Sequence, residues 1–136
     1  MQLTFYSTFF ALLVVLSTAW STLALPVLQL RDVINPRITF PTAGAVFKAG
    51  QTITVTWDTS VLPVGSPNKG MIVLGVNTTT SENLQLDSPL AEDFLLTDGS
   101  HEITFPENLT TKHNYILDLF GDSGNISPEF TVKAPY

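Results

Sequence analysis

Residues 51–58 read Q-T-I-T-V-T-W-D, and no other stretch of the 136-residue chain limits the fold as tightly. Ile53, Val55 and Trp57 alternate with Thr52, Thr54 and Thr56. A period of two built from β-branched residues is a half-buried strand, with one apolar face and one hydroxyl-bearing face. A helix would scatter those three apolar side chains around its circumference and crowd the branched ones against the preceding turn. The alternation predicts that Trp57 lies in a core, on the same side as Ile53 and Val55.

The rest of the chain is punctuated in the same way. Residues 37–40 read as a first strand, stopped by Pro41 and the Thr42-Ala43-Gly44 turn, with Val46-Phe47 resuming it. Residues 59–70 hold Pro63, Gly65, Pro67 and Gly70 and form a long loop. Residues 71–76 are a nearly continuous apolar strand, and residues 83–87 a short one with Leu84 and Leu86 on one face. Residues 90–96 read as a strand or a short turn of helix, with strand preferred, Asp98-Gly99 as a tight turn, and residues 101–105 as the partner strand with Ile103 and Phe105 inward. Tyr115, Leu117 and Leu119 alternate with Ile116, Asp118 and Phe120; residues 121–125 make a hairpin turn, and residues 129–133 close the domain with Phe130 and Val132 inward. About seven short strands without a helical pattern above one turn give an all-β, antiparallel sandwich. An open barrel is the alternative.

The first residues set the compartment. Residues 9–16 are one apolar run, followed by a small-residue stretch in which Thr22 and Ala24 occupy the positions a signal peptidase requires to be small. Residues 1–24 are therefore expected to be a signal peptide, cleaved between Ala24 and Leu25, although residues 1–6 carry no Lys or Arg. The apolar run is too short to span about 30 Å of hydrocarbon. Residues 25–35 read as a short lead-in and residues 36–134 as one domain. The chain has no cysteine, which excludes disulfides, zinc ribbons and thiol catalysis and leaves stability to packing and hydrogen bonds. All twelve carboxylates follow the signal segment, and the net charge of −6 makes nucleic acid an improbable partner. Charged residues are only 13% of the chain, so Ser, Thr and Asn supply its polar surface, as suits a secreted glycoprotein. Three N-x-Ser/Thr sequons begin at Asn77, Asn108 and Asn125; Pro128 after the third, and its Ser acceptor, make it the poorest of them.

Two segments together resemble a known family. The first is I-T-F-P-T-A-G-A-V-F-K-A-G-Q-T-I-T-V-T-W-D, residues 38–58, and the second Y-I-L-D-L-F-G-D-S-G-N-I-S-P-E-F-T-V, residues 115–132. They are similar to the two ends of the fungal Kre/Knh-type immunoglobulin-like domain, and E-N-L-Q-L-D-S-P-L-A, residues 82–91, adds to the likeness. The resemblance implies an Ig-like sandwich that is wall-associated and non-catalytic. Its yeast members are implicated in cell-wall β-1,6-glucan assembly. Wall polysaccharide or a secreted protein is then the expected partner. Many members carry a Ser/Thr-rich stalk and a lipid-anchor signal, whereas this chain stops at Ala134-Pro135-Tyr136; the mature form is expected to be released without a membrane anchor.

Catalytic patterns are weak beside this. A glycosidase needs two carboxylates facing each other across a sugar site. The candidates Asp93, Asp98, Glu102 and Asp118 fall at turns or on the expected solvent faces of strands. His101 and His113 read as ordinary surface residues, and a copper-dependent polysaccharide oxygenase would need a histidine where cleavage leaves Leu25. No G-x-S-x-G elbow is present. Asp118, Asp122, Ser123 and Asn125 suggest either a calcium loop or a plain hairpin turn, and they lack the spacing of known calcium loops. No cofactor or metal is expected. The rival reading is a secreted glycan-active hydrolase or a soluble protein-binding factor.

Overall fold

The computed structural model describes residues 33–136; the expected signal peptide and most of the lead-in lie outside the described residues. In chain order the strands are β1 (Ile38–Phe40), β2 (Val46–Lys48), β3 (Thr52–Trp57), β4 (Lys69–Val76), β5 (Ala91–Leu95), β6 (Ser100–Thr104), β7 (Lys112–Phe120), β8 (Gly124–Ile126) and β9 (Phe130–Lys133). They form a three-stranded sheet in the order β1-β3-β6 and a larger one in the order β2-β9-β7-β4-β5, with β8 also paired to β7. The architecture is an all-β sandwich.

Strand β3 forms as its alternation requires, with Ile53, Val55 and Trp57 buried. Opposite them, Ile72, Leu74, Leu117 and Leu119 line the inner face of the larger sheet. Phe47 packs against both Phe105 and Phe130 at centroid distances of 5.6 Å, which closes one end of the core. At the other end Trp57 lies 5.4 Å from Phe94, and its indole Nε1–H donates to the Leu96 carbonyl at 2.7 Å. That bond is buried and joins the small sheet to the 3-10 turn, Leu96–Asp98, that follows β5. Gly99 ends this turn in the left-handed region at φ 73°, which a side chain would strain.

Strand β7 is the hub of the larger sheet. One edge pairs with β4 from Tyr115 to Phe120, and the other is shared by β9 and β8. Ser127 makes the change of partner possible. Its N–H donates to the Leu117 carbonyl at 2.8 Å, and its hydroxyl accepts the Leu117 N–H at 3.0 Å. The ladder is thus satisfied where neither neighbouring strand reaches it.

Two local readings are corrected. The Val46-Phe47 segment does not resume the first strand: after Pro41 and Gly44 the chain crosses to the other sheet, where β2 pairs parallel with β9, so the sandwich is not wholly antiparallel. Residues 83–87 are not a strand, because Asn83 turns to φ 45° and its side-chain amide donates to the Val76 carbonyl at 2.9 Å. Leu84 then packs over Gly75 while Leu86 is exposed. In β5 the register shifts at Asp93, whose φ of 62° marks a bulge. Ile34, from the expected lead-in, is buried; its N–H donates to Asp122 Oδ2 at 3.1 Å and its carbonyl accepts the Asp122 N–H at 3.0 Å.

Trp57→Ala is expected to cost about 3–5 kcal/mol, close to the whole margin of a small domain. Trp57→Phe keeps most of the ring packing but deletes the shorter of the two hydrogen bonds the buried Leu96 carbonyl accepts, leaving the Gly99 N–H at 3.3 Å, so a loss of about 1–2 kcal/mol is expected. Thr54→Ala, on the opposite face of the same strand, should stay within about 1 kcal/mol. Urea melts of the three variants check the ranking.

Candidate functional site

The outer face of the small sheet is built by the register of its strands. Thr52, Thr54 and Thr56 on β3 stand opposite Thr104, Glu102 and Ser100 on β6. Thr39 joins them from β1 through a 2.7 Å hydroxyl–hydroxyl hydrogen bond to Thr56, and Thr52 bonds Thr104 at 2.8 Å. The same alternation that buries Trp57 therefore creates a hydroxyl array on the other side. Glu102 is the one carboxylate these three strands place on it. Such a face offers hydrogen-bond donors and acceptors with little charge, which suits a neutral polyol.

The four candidate carboxylates do not converge in the fold. Asp93 occupies the β5 bulge, Asp98 the 3-10 turn, Glu102 the hydroxyl face and Asp118 the outer side of β7. Asp118 requires a correction, since it is only 3% exposed and not on a solvent face. The hairpin after β7 folds back and pairs Ile126 with Asp118 and Gly124 with Phe120. A Cβ on Gly124 would stand 2.7 Å from both Asp118 carboxylate oxygens, so only glycine allows the hairpin to close there. Asp118 Oδ1 has no hydrogen-bond partner among the described residues. Burial raises its pKa above the usual carboxylate range, the Glu82 charge adds to the rise, and a hydrogen bond from the Asn125 N–H opposes it.

Asp122 is used differently from Asp118, as an anchor for Ile34. Among the described residues no three His, Asp or Glu side chains gather as a metal set would. His113 Nδ1 lies 3.0 Å from the Thr131 hydroxyl. His101 is not a plain surface residue: it shares a face with Val55 and stacks on Phe94 at 4.6 Å in the seam between the sheets. Trp57, Phe47, Tyr115 and Phe130 all point into the core, so none offers an open ring to a sugar.

The three sequons differ in their surroundings. Asn77 is half-buried and its Nδ2 donates to Glu129 Oε1 at 2.9 Å. Asn125 is half-buried, and Ser127 of its sequon is the buried ladder residue described above. Asn108 is exposed and lines a cleft of roughly 420 Å³ together with Gln85, Ser88 and Lys112. A second cleft of roughly 390 Å³ lies between Gly50, Glu107 and Tyr136. Nothing in the sequence marked either cleft, because each is assembled from segments far apart in the chain.

Two facing sheets with this strand order define an Ig-like module. The chain matches the Kre9/KNH-like N-terminal Ig-like domain over residues 40–132 and belongs to that family. Membership implies a cell-wall-associated Ig-like domain. No curated protein matches the chain.

The raised pKa of Asp118 has a consequence for stability. The fold holds its proton more tightly than the unfolded chain does, so stability falls as pH rises from the usual aspartate range, near 3.9, through the higher folded value. Asp118→Asn removes the charge and keeps an acceptor for the Asn125 N–H. The variant is expected to be more stable than the parent at pH 7, with the difference vanishing below about pH 3. Thermal melts across that range check it.

Proposed function

We propose that this domain is a secreted, non-catalytic module that associates with the fungal cell wall by holding neutral polysaccharide, β-glucan foremost, on the outer face of its three-stranded sheet. The observation that carries this reading is the hydroxyl array of Thr39, Thr52, Thr54, Thr56, Ser100 and Thr104, with Glu102 as its lone carboxylate. Paired hydroxyls on a rigid sheet are pre-organised, which lowers the cost of ordering them on binding. A polyanion would meet the acidic surface at a disadvantage, and a neutral glycan would not. Family membership supports the wall association. The dispersal of Asp93, Asp98, Glu102 and Asp118 supports binding over hydrolysis, which needs two carboxylates across one groove.

Co-sedimentation of the purified mature protein with washed insoluble β-glucan and with chitin tests the reading. The parent is expected in the glucan pellet. Thr52→Val combined with Thr104→Val preserves shape and branching but deletes the hydroxyl pair, and should weaken binding about tenfold, or 1.4 kcal/mol. Release of soluble sugar that is abolished by changing one carboxylate would establish the hydrolase instead.

A further inference from the structure

The cleft beside Asn108 lies outside the hydroxyl face, and its geometry points to a specific occupant. Asn108 and Glu107 are the central residues of the turn between β6 and β7. The turn sends them in different directions: Glu107 lies against Gly50, and Asn108 lines the 420 Å³ cleft. Both flanks of the turn are fixed. Leu109 is buried in the core, and the Thr110 carbonyl accepts the Tyr115 hydroxyl at 2.7 Å. The Asn108 side chain is therefore held by a rigid base at the rim of the cleft rather than by a loose loop.

The lining has two characters. Gln85, Ser88 and Lys112 bring an amide, a hydroxyl and an ammonium, while Val76, Pro106 and Leu109 supply an apolar side. An N-acetylhexosamine carries the complementary set: ring hydroxyls, an acetamido carbonyl and N–H, and an acetamido methyl. We propose that the cleft is the seat of the chain's own N-glycan, with the first N-acetylglucosamine on Asn108 folded back onto residues 85–88 and Lys112. Tethering makes this feasible for a weak contact, because a covalently linked ligand meets its site at an effective concentration of about millimolar. The segment it covers needs such support. Residues 82–90 lie along β4 without being a strand, held by single bonds such as Gln85 N–H to the Leu74 carbonyl at 2.9 Å and Leu90 N–H to the Ile72 carbonyl at 2.8 Å.

Asn77 provides an internal contrast. Its Nδ2 is engaged with Glu129, and it is not part of the cleft lining. A glycan there has no seat of this kind. The proposal rests on passage through the secretory route but not on polysaccharide binding, which uses a different face.

The test uses the full chain secreted from a eukaryotic host, with hydrogen exchange read by mass spectrometry at residues 82–90. Glycan occupancy at Asn108 is expected. Asn108→Gln and Thr110→Ala each abolish that sequon through a different residue, and the Thr110 variant keeps the carbonyl that Tyr115 uses. Both are expected to speed exchange at residues 82–90 at least about threefold, while Asn77→Gln leaves it unchanged. Trimming to a single N-acetylglucosamine should preserve the protection. An unoccupied Asn108, or equal exchange with and without its glycan, overturns the proposal. Glucan co-sedimentation of the glycan-free protein is expected to persist in either case, so the two readings fail separately.

Discussion

A cysteine-free sandwich must hold its two sheets together by what its side chains do across the gap, and here the decisive contact is Trp57 on Leu96. The indole fills the end of the core against Phe94 while its N–H satisfies a buried carbonyl in the turn that leads from the larger sheet to the smaller. Burying a ring of this size is favourable by a few kcal/mol, and its N–H adds a second, shorter hydrogen bond to a Leu96 oxygen that otherwise accepts only the Gly99 N–H at 3.3 Å. The contact also sets the direction of β3. Once Trp57 is inward, Ile53 and Val55 must follow, and the threonines must form the outer face.

That coupling explains which features were legible in the sequence. Period-two alternation reports local chain geometry, so the inward set of β3, the pair Ile103 and Phe105 beyond Asp98-Gly99, and Phe130 with Val132 are found where the sequence places them. Asp118 escaped the same logic. Alternation correctly puts it on the opposite face from Leu117 and Leu119, but that face is covered too, with Val73 and Ile116 buried on it. The cover comes from the hairpin at Gly124 and from Leu84 packed over Gly75, contacts that sequence spacing does not reveal. For the same reason a local reading sees a resumed strand at Val46-Phe47 where the chain crosses to pair with β9.

The functional features divide along the same line. The hydroxyl face was visible as threonines turned to solvent, though its closure into Thr39–Thr56 and Thr52–Thr104 pairs depends on register between strands up to 52 residues apart. The sequons were visible, but the difference between a half-buried Asn77, an Asn125 whose Ser127 is built into the ladder, and an open Asn108 is a property of the fold. Taken in isolation, a buried carboxylate such as Asp118 suggests chemistry. Gly124 and Asn125 enclose it, and holding it charged there costs the fold stability.

The domain thus keeps its hydroxyls open on the outer face of one sheet and covers Asp118 on the outer face of the other, which fits the proposed holding of a neutral polymer. Amide chemical-shift mapping during titration with soluble β-glucan oligosaccharides tests this most directly. The account predicts saturable shifts centred on Thr52, Thr54, Thr56 and Thr104, with the amides around Asp118 undisturbed. Shifts centred on Asp118 and Glu82, accompanied by cleavage of the oligosaccharide, would contradict it.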